Sequence, residues 1–219
     1  MFFSGTGIVQ LLILQCWCLL IITAMPLDFK GNICSNSNDC NDNTTYIWHQ
    51  IHNKITELAS GARHLFEKYT EVQGLSDKVD QICDPVIVHF PKFNATNSSE
   101  KEKAIELFSI FSYVSTALSN ITNLQNKISS KKTPLLNELE KTFSGVKGIL
   151  SNLSCFLCKK YHVTHVSVHY GPPLPSGKLP QKAHGCKVLK KYKHFIHQAV
   201  NATIINQLYE SGTQNPSVP

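Results

Sequence analysis

Four stretches of the chain repeat apolar residues at steps of three and four, the period that places them on one side of an α-helix. In the first, Ile47, Ile51, Ile55, Leu58, Ala62, Leu65 and Tyr69 share a side. Asn43, Thr44 or Thr45 can cap its start and Gly74 can end it, which predicts a helix over 44–72. The second opens on Ser99 and Glu102, spaced as a capping box, and continues through Leu107, Phe111, Val114, Leu118, Ile121 and Leu124. It predicts a helix over 100–128. In the third, Thr133 precedes Pro134, an N-cap followed by a first-turn proline. Leu136, Leu139, Phe143, Val146, Leu150, Leu153 and Leu157 then alternate steps of three and four, giving a helix over 134–160. Leu189, Tyr192, Ile196, Ala199 and Thr203 mark the fourth, over 181–207. Residues 208–219 are expected to be a disordered tail.

The connections predict how these helices are joined. Roughly 27 residues separate the first two, five the second and third, and about 20 the last two. A helix of ~27 residues is ~40 Å long. Five residues cannot run back along that length, so the third helix must be antiparallel to the second. The longer links can span more than ~60 Å when extended. Long, short, long predicts an all-α, long-chain four-helix bundle of up-up-down-down topology with two long crossover connections. An up-down-up-down bundle with enlarged loops is the alternative.

Residues 1–24 carry no charged side chain, and Ile8 to Ala24 is an apolar run that reads as a secretory leader ending near Ala24. An uncleaved signal anchor is the alternative, because the run is nearly long enough to cross a bilayer. No second membrane span is expected after cleavage. Six Asn-x-Ser/Thr sequons follow, at Asn43, Asn94, Asn97, Asn120, Asn152 and Asn201. Removing the leader also removes Cys16 and Cys18. The six remaining cysteines, Cys34, Cys40, Cys83, Cys155, Cys158 and Cys186, read as three disulfides of an extracellular chain, with fifteen pairings open. About 195 mature residues suit one domain. The net charge of +6 favours contact with acidic cell-surface glycans.

The stretch "CFLCKKYHVTHVSVHY", Cys155 to Tyr170, has three chemical readings. Zinc would suit Cys-x-x-Cys beside His162, His165 and His169, but an oxidising compartment removes the thiolates zinc needs. A redox pair belongs at a helix N-terminus, where the dipole favours thiolate; this pair is at a C-terminus. The structural reading is two bridges from Cys34 and Cys40, strapping a 25–43 arm to the end of the third helix. Cys83 would then pair with Cys186. Val166, Val168 and Tyr170 alternate with Ser167 and His169, an extended segment packed on one side, with the histidines facing solvent or capping the helix.

Together these residues resemble the leukaemia inhibitory factor branch of the interleukin-6 family of cytokines. The resemblance is carried by "ILSNLSCFLCKKYHVTHVSVHYGP", "GCKVLKKYKHFI", "QICDP", "SNITNLQNKI" and the cysteine spacing, over roughly Cys34 to Thr203. It implies the pairing Cys34–Cys158, Cys40–Cys155 and Cys83–Cys186. It also implies a secreted monomeric growth factor that brings two receptor chains together, activates kinase and transcription-factor signalling and regulates growth and differentiation. One surface, at the start of the fourth helix, would engage the leukaemia inhibitory factor receptor. Counting back from Cys186, its Phe-x-x-Lys signature falls on Leu179 and Lys182, with Lys178 a nearby basic contact. Leucine replaces the aromatic, and Pro180 is a rival for that position. The alternative for Leu179 is packing beneath its own loop. The second surface, on the first and third helices, would engage the shared signal-transducing receptor. It falls on Gln50, Asn53, Lys54, Glu57 and Gly61 with Gly148 and Asn152. Helix–helix packing is the alternative for Gly148. Asn152 is also a sequon, and it is expected to stay unmodified because Cys155 and the third helix bury its acceptor. Asn43, Asn94, Asn97, Asn120 and Asn201 remain glycosylation candidates.

Other functions find less in the chain. There is no Gly-x-Ser-x-Gly, His-Glu-x-x-His or phosphate loop, so no enzyme, metal or cofactor is expected. Nucleic-acid binding has only net charge behind it. Lys187, Lys190, Lys191 and His194 cluster on one side of the fourth helix and make heparan-type glycans a candidate ligand; a solvated face is the alternative. Within the family, an oncostatin M-like or cardiotrophin-like sister with a different receptor pair is the alternative.

Overall fold

The computed structural model describes residues 32–35, 40–83, 89–94, 98–128, 133–171 and 173–212, with side chains of the last helix to 204. The leader, the sequon at Asn97 and residues 213–219 lie outside them. Among the described residues there are five α-helices and no strand: α1 (Thr44–Val72), a short α2 (Val79–Ile82), α3 (Glu100–Ile128), α4 (Pro134–Tyr161) and α5 (Lys178–Gly212).

Side-chain caps set the helix starts. Asn43 Oδ1 accepts from the Tyr46 N–H at 3.0 Å. The Ser99 N–H donates to Glu102 Oε2 at 2.8 Å while the Glu102 N–H donates to Ser99 Oγ at 3.3 Å, a reciprocal capping box. Thr133 Oγ1 accepts from the Leu136 N–H at 3.2 Å. Gly74 follows α1 at φ +68°, and His162 ends α4 at φ +52°, a left-handed turn that returns its N–H to Cys158 and Leu157.

The fourth long helix departs from the expected 181–207 at both ends. Its first bond, from the Gln181 N–H to the Gly177 carbonyl, begins it at Lys178. Pro180 sits in the first turn, where its missing N–H removes no helical bond. The helix then runs to Gly212, into the expected tail, because residues 205–211 include no proline and several good helix formers.

Helix α1 packs against α4 and α5, and α3 packs against α4 and, over a smaller seam, α5. Contacts near the helix ends fix the relative directions. Trp48 near the start of α1 lies 4.7 Å from Phe156 near the end of α4, ring to ring. Tyr161 Oη at the end of α4 donates to Glu100 at the start of α3 at 2.7 Å. Tyr69 Oη, late in α1, donates to the Lys182 carbonyl, early in α5, at 3.0 Å. His52 Nδ1, early in α1, meets Thr203 Oγ1 at 2.8 Å. Gly185, early in α5, faces Ile121, late in α3.

The core is wider than the sequence pattern. On α5 it adds Val188, Phe195 and Ala202 to the periodic side chains. Phe195 meets Phe111 at 5.3 Å and also Phe90 and Phe93 of the α2–α3 link, at 5.9 and 5.5 Å. The link therefore has its own packing against α5. By length and composition alone α3 could cross a membrane, contrary to the expectation of no second such run. Its large apolar residues, among them Leu107, Phe111, Val114 and Leu118, are instead buried in the core.

Candidate receptor-binding surfaces

Three disulfides hold the ends of the helices: Cys34–Cys158, Cys40–Cys155 and Cys83–Cys186. Both cysteines of the Cys-x-x-Cys stretch are thus consumed, and neither can be a thiolate for zinc or redox exchange. His162, His165 and His169 are exposed while Val166 and Val168 are buried, so the segment alternates across an extended strap. Its start is tied to the arm by the bond from the Ile33 N–H to the Thr164 carbonyl at 3.0 Å.

The first surface sits where α5 begins. Leu179 is 64% exposed, so it does not pack beneath its own loop. Pro180 and Lys178 are exposed and Lys182 is half-buried. Two ties fix this turn: Tyr69 Oη on the Lys182 carbonyl, and the buried Cys83–Cys186 bridge one turn further on. Tyr69 is fully buried, and burial pushes its phenol well above the usual range, so it stays a donor. Leu174, just ahead of α5, and Val72 and Ile128, which end α1 and α3, are also exposed. The sequence reading did not include these three. The sign available was that none of the three is among the periodic apolar side chains that define its segment.

The second surface follows the α1–α4 seam. Asn53, Glu57 and Gly61 are exposed on α1, with Gln50 and Lys54 half-buried. A Cβ at Gly61 would meet nothing within 4 Å. At Gly148 the three nearest atoms it would meet all belong to the Lys54 side chain, Nζ first at 3.3 Å, so Gly148 lies against a lysine stem. Gly145 is instead the α4 glycine that faces an apolar α1 side chain, since a Cβ there would lie 2.8 Å from Leu58 Cδ2. Asn53 Nδ2 pairs with His49 Nδ1 at 2.9 Å, which orients both amide and ring. Asn152 is half-buried, and its Nδ2, the atom that would carry a sugar, is buried with no hydrogen-bond partner. Tyr46, 50% exposed, lies one turn before Gln50 on the same side of α1. The sequence reading missed it, although its i, i+4 relation to Gln50 was available.

The other sequons differ in setting. Asn43 is exposed and uses its oxygen as the α1 cap, leaving Nδ2 free of that bond. Asn94 and Asn201 are exposed and Asn120 is half-buried. A cleft of about 540 Å³ opens between residues 32–35 and Cys40 on one side and α3 and α4 on the other. Among the described residues that line it, Lys147 is the charged one, and Ser112, Ser115, Ser151 and Ser154 supply hydroxyls. Among the described residues, none of those of either surface lines it. The family model of the LIF / OSM family matches residues 46–203, a span that takes in most of all four long helices and both surfaces. That is well over half the chain, and the chain belongs to this family of cytokines, which are not enzymes.

Proposed function

We propose that the protein is a secreted cytokine that brings together the leukaemia inhibitory factor receptor and the shared signal-transducing receptor of the interleukin-6 family. The receptors then pass the signal to intracellular kinases and transcription factors that regulate growth and differentiation. The observation that carries this reading is Leu179, a large aliphatic side chain held out from the first turn of α5 beside Lys182. Exposing it costs the fold apolar burial, and its turn is fixed by a buried hydrogen bond and a buried disulfide. Preorganised apolar anchors of this kind carry binding energy at interfaces. Leu174, Val72 and Ile128 extend the apolar area at the same end.

The directions given by the helix-end contacts support an up-up-down-down bundle, with α1 and α3 both antiparallel to α4 and α5. In that arrangement the α5 start lies beside the last turns of α1, whereas the seam residues run from Gln50 to Gly61, so each surface offers its own residues to a receptor chain. Three disulfides and family membership support an extracellular compartment. The buried Nδ2 of Asn152 supports a seam free of sugar.

The test is binding of the secreted protein to the leukaemia inhibitory factor receptor ectodomain, beside a Leu179→Ala/Lys182→Ala variant. The parent is expected to bind and the variant to lose ~2 kcal/mol or more, about 30-fold in Kd. An unaffected variant would move the contact away from Leu179. No binding by correctly bridged parent would point to a sister cytokine with another receptor pair. Peptide mapping of the same material is expected to return Asn152 bare; a sugar there would displace the second surface from the α1–α4 seam.

A further inference from the structure

The outer side of α5 carries a row of basic side chains used by neither receptor surface. Lys187, Lys190, His194 and His197 follow at steps of three, four and three, with Lys191 beside them. These steps keep them on one side of the helix over about 15 Å. The opposite side, with Val188, Leu189, Tyr192, Ile196 and Ala199, is buried in the core. His194 and His197 are exposed and the three lysines are half-exposed.

The row is poorly neutralised. Among the described residues Asp80 is the one carboxylate in an ion pair with these five side chains, 3.5 Å from Lys190 Nζ and itself 99% exposed. Such a pair contributes little in water. His194 is held below its ordinary value, first by burial and then by Lys193, Lys190, Lys191 and His197. The neighbouring lysines therefore disfavour a further positive charge among them, and an anion laid along them relieves that repulsion.

The shape of the row narrows the ligand. It is linear, along a helix axis, and between residues 187 and 203 no large apolar side chain is exposed. A membrane surface would find no side chain to insert. Single-stranded nucleic acid would find no exposed aromatic on which to stack a base. We propose that the outer face of α5 binds a linear sulfated polysaccharide of the heparan type, tethering the cytokine to cell surfaces and matrix. This site is separate from the α1–α4 seam, so a tethered molecule still presents that seam.

The test uses the full secreted chain on immobilised heparin, eluted with salt. Two variants of equal net charge are compared, Lys187→Gln/Lys190→Gln/Lys191→Gln and Lys101→Gln/Lys127→Gln/Lys141→Gln; the second set is exposed on α3 and α4. Melting curves matching the parent check that both fold. The parent is expected to be retained well above about 0.15 M salt. The α5 variant should elute much earlier, its slope of log Kd against log salt reduced by about two to three, while the α3–α4 variant stays near the parent. Equal losses in the two variants would reduce the effect to net charge and overturn the proposal. Equal retention of the parent on single-stranded DNA would overturn its selectivity for a sulfated polysaccharide.

Discussion

At Gly185 an added Cβ would overlap the Tyr69 hydroxyl, lie 3.0 Å from Tyr69 Cζ and 3.3 Å from Ile121 Cγ1. Tyr69 is fully buried, Ile121 nearly so, and the hydroxyl is committed to the Lys182 carbonyl, so none of them can step aside without repacking. At Gly148 the added Cβ meets the end of a lysine, which swings away freely. Two Gly→Ala changes in helices therefore part in sign. Gly185→Ala is expected to lower stability by about 1–3 kcal/mol, the cost of overpacking. Gly148→Ala is expected to leave stability unchanged or raise it by up to about 1 kcal/mol, the helix propensity gain. If the α1–α4 seam is a receptor surface, the same change also weakens binding to the shared receptor, because the close approach that a glycine allows is lost. Urea unfolding and receptor binding on both variants separate the two effects. A Gly148→Ala protein as unstable as Gly185→Ala would return Gly148 to a packing role. Sequence could place both glycines in helices, but it could not say which one faces a buried tyrosine and which a mobile lysine. That difference arises from the neighbouring helix, far away along the chain.

Among the elements, the arm before α1 depends most on covalent ties. Cys34–Cys158 and Cys40–Cys155 close loops of 124 and 115 residues, and they are nested. Once either is formed, the other closes a ring of only about nine residues, the six from Cys34 to Cys40 and the three from Cys155 to Cys158. In the chain-entropy model the second bridge of the pair then contributes about 2–3 kcal/mol, while a first bridge contributes about 5. Replacing either pair by alanine is expected to cost about 2–3 kcal/mol, and replacing both about 7, well above the sum of the singles. Urea unfolding of the three variants measures this, and simple additivity would show that the two straps act on separate parts of the unfolded chain. The first three long helices are legible at this scale because each carries both an apolar period and a cap that a helix start explains, such as Ser99 with Glu102. The start of α5 is not. Its apolar period begins only after Cys186, and Pro180 reads as a breaker unless the chain is already known to enter a helix there. The end at Gly212 was missed for a related reason: the apolar stripe stops at Thr203, but propensity carries the helix on.

For the molecule as a whole, the helical class is readable in the apolar periods, while the packing of Phe90 and Phe93 on Phe195 leaves no periodic trace in a link so short of regular structure. The charge balance of the folded state was equally hidden, because it depends on which histidines become covered. His52 is held below its ordinary value of 6.5 by burial first and by His49 second. His184 is lowered by burial and then Lys187, and His194 by burial and then its neighbouring cations. Each of these rings binds a proton less readily in the folded chain than in the unfolded one. The unfolded state therefore takes up more protons as pH falls below 6.5, and stability falls with it, levelling once each ring is protonated in the folded state too. Asp42, Glu67 and Glu102 add a second stage. Lys159 holds Asp42 below 3.8, Arg63 holds Glu67 below 4.5, and the Ser99 N–H and hydroxyl hold Glu102 below 4.5. Their contribution is present above the ordinary carboxylate range and is lost as they protonate; all three are exposed, so this stage is the weaker one per group. The expected Tm is highest from neutral pH upward and already lower at about pH 5.5, before the carboxylates titrate. His52→Gln should flatten part of that early slope, since the amide would carry no proton to lose or gain and could still face Thr203 across the α1–α5 seam. A Tm unchanged between about pH 7.5 and 5.5 would mean that these rings titrate as freely in the folded protein as in the unfolded chain, and that the seam between α1 and α5 opens far enough to let water reach His52.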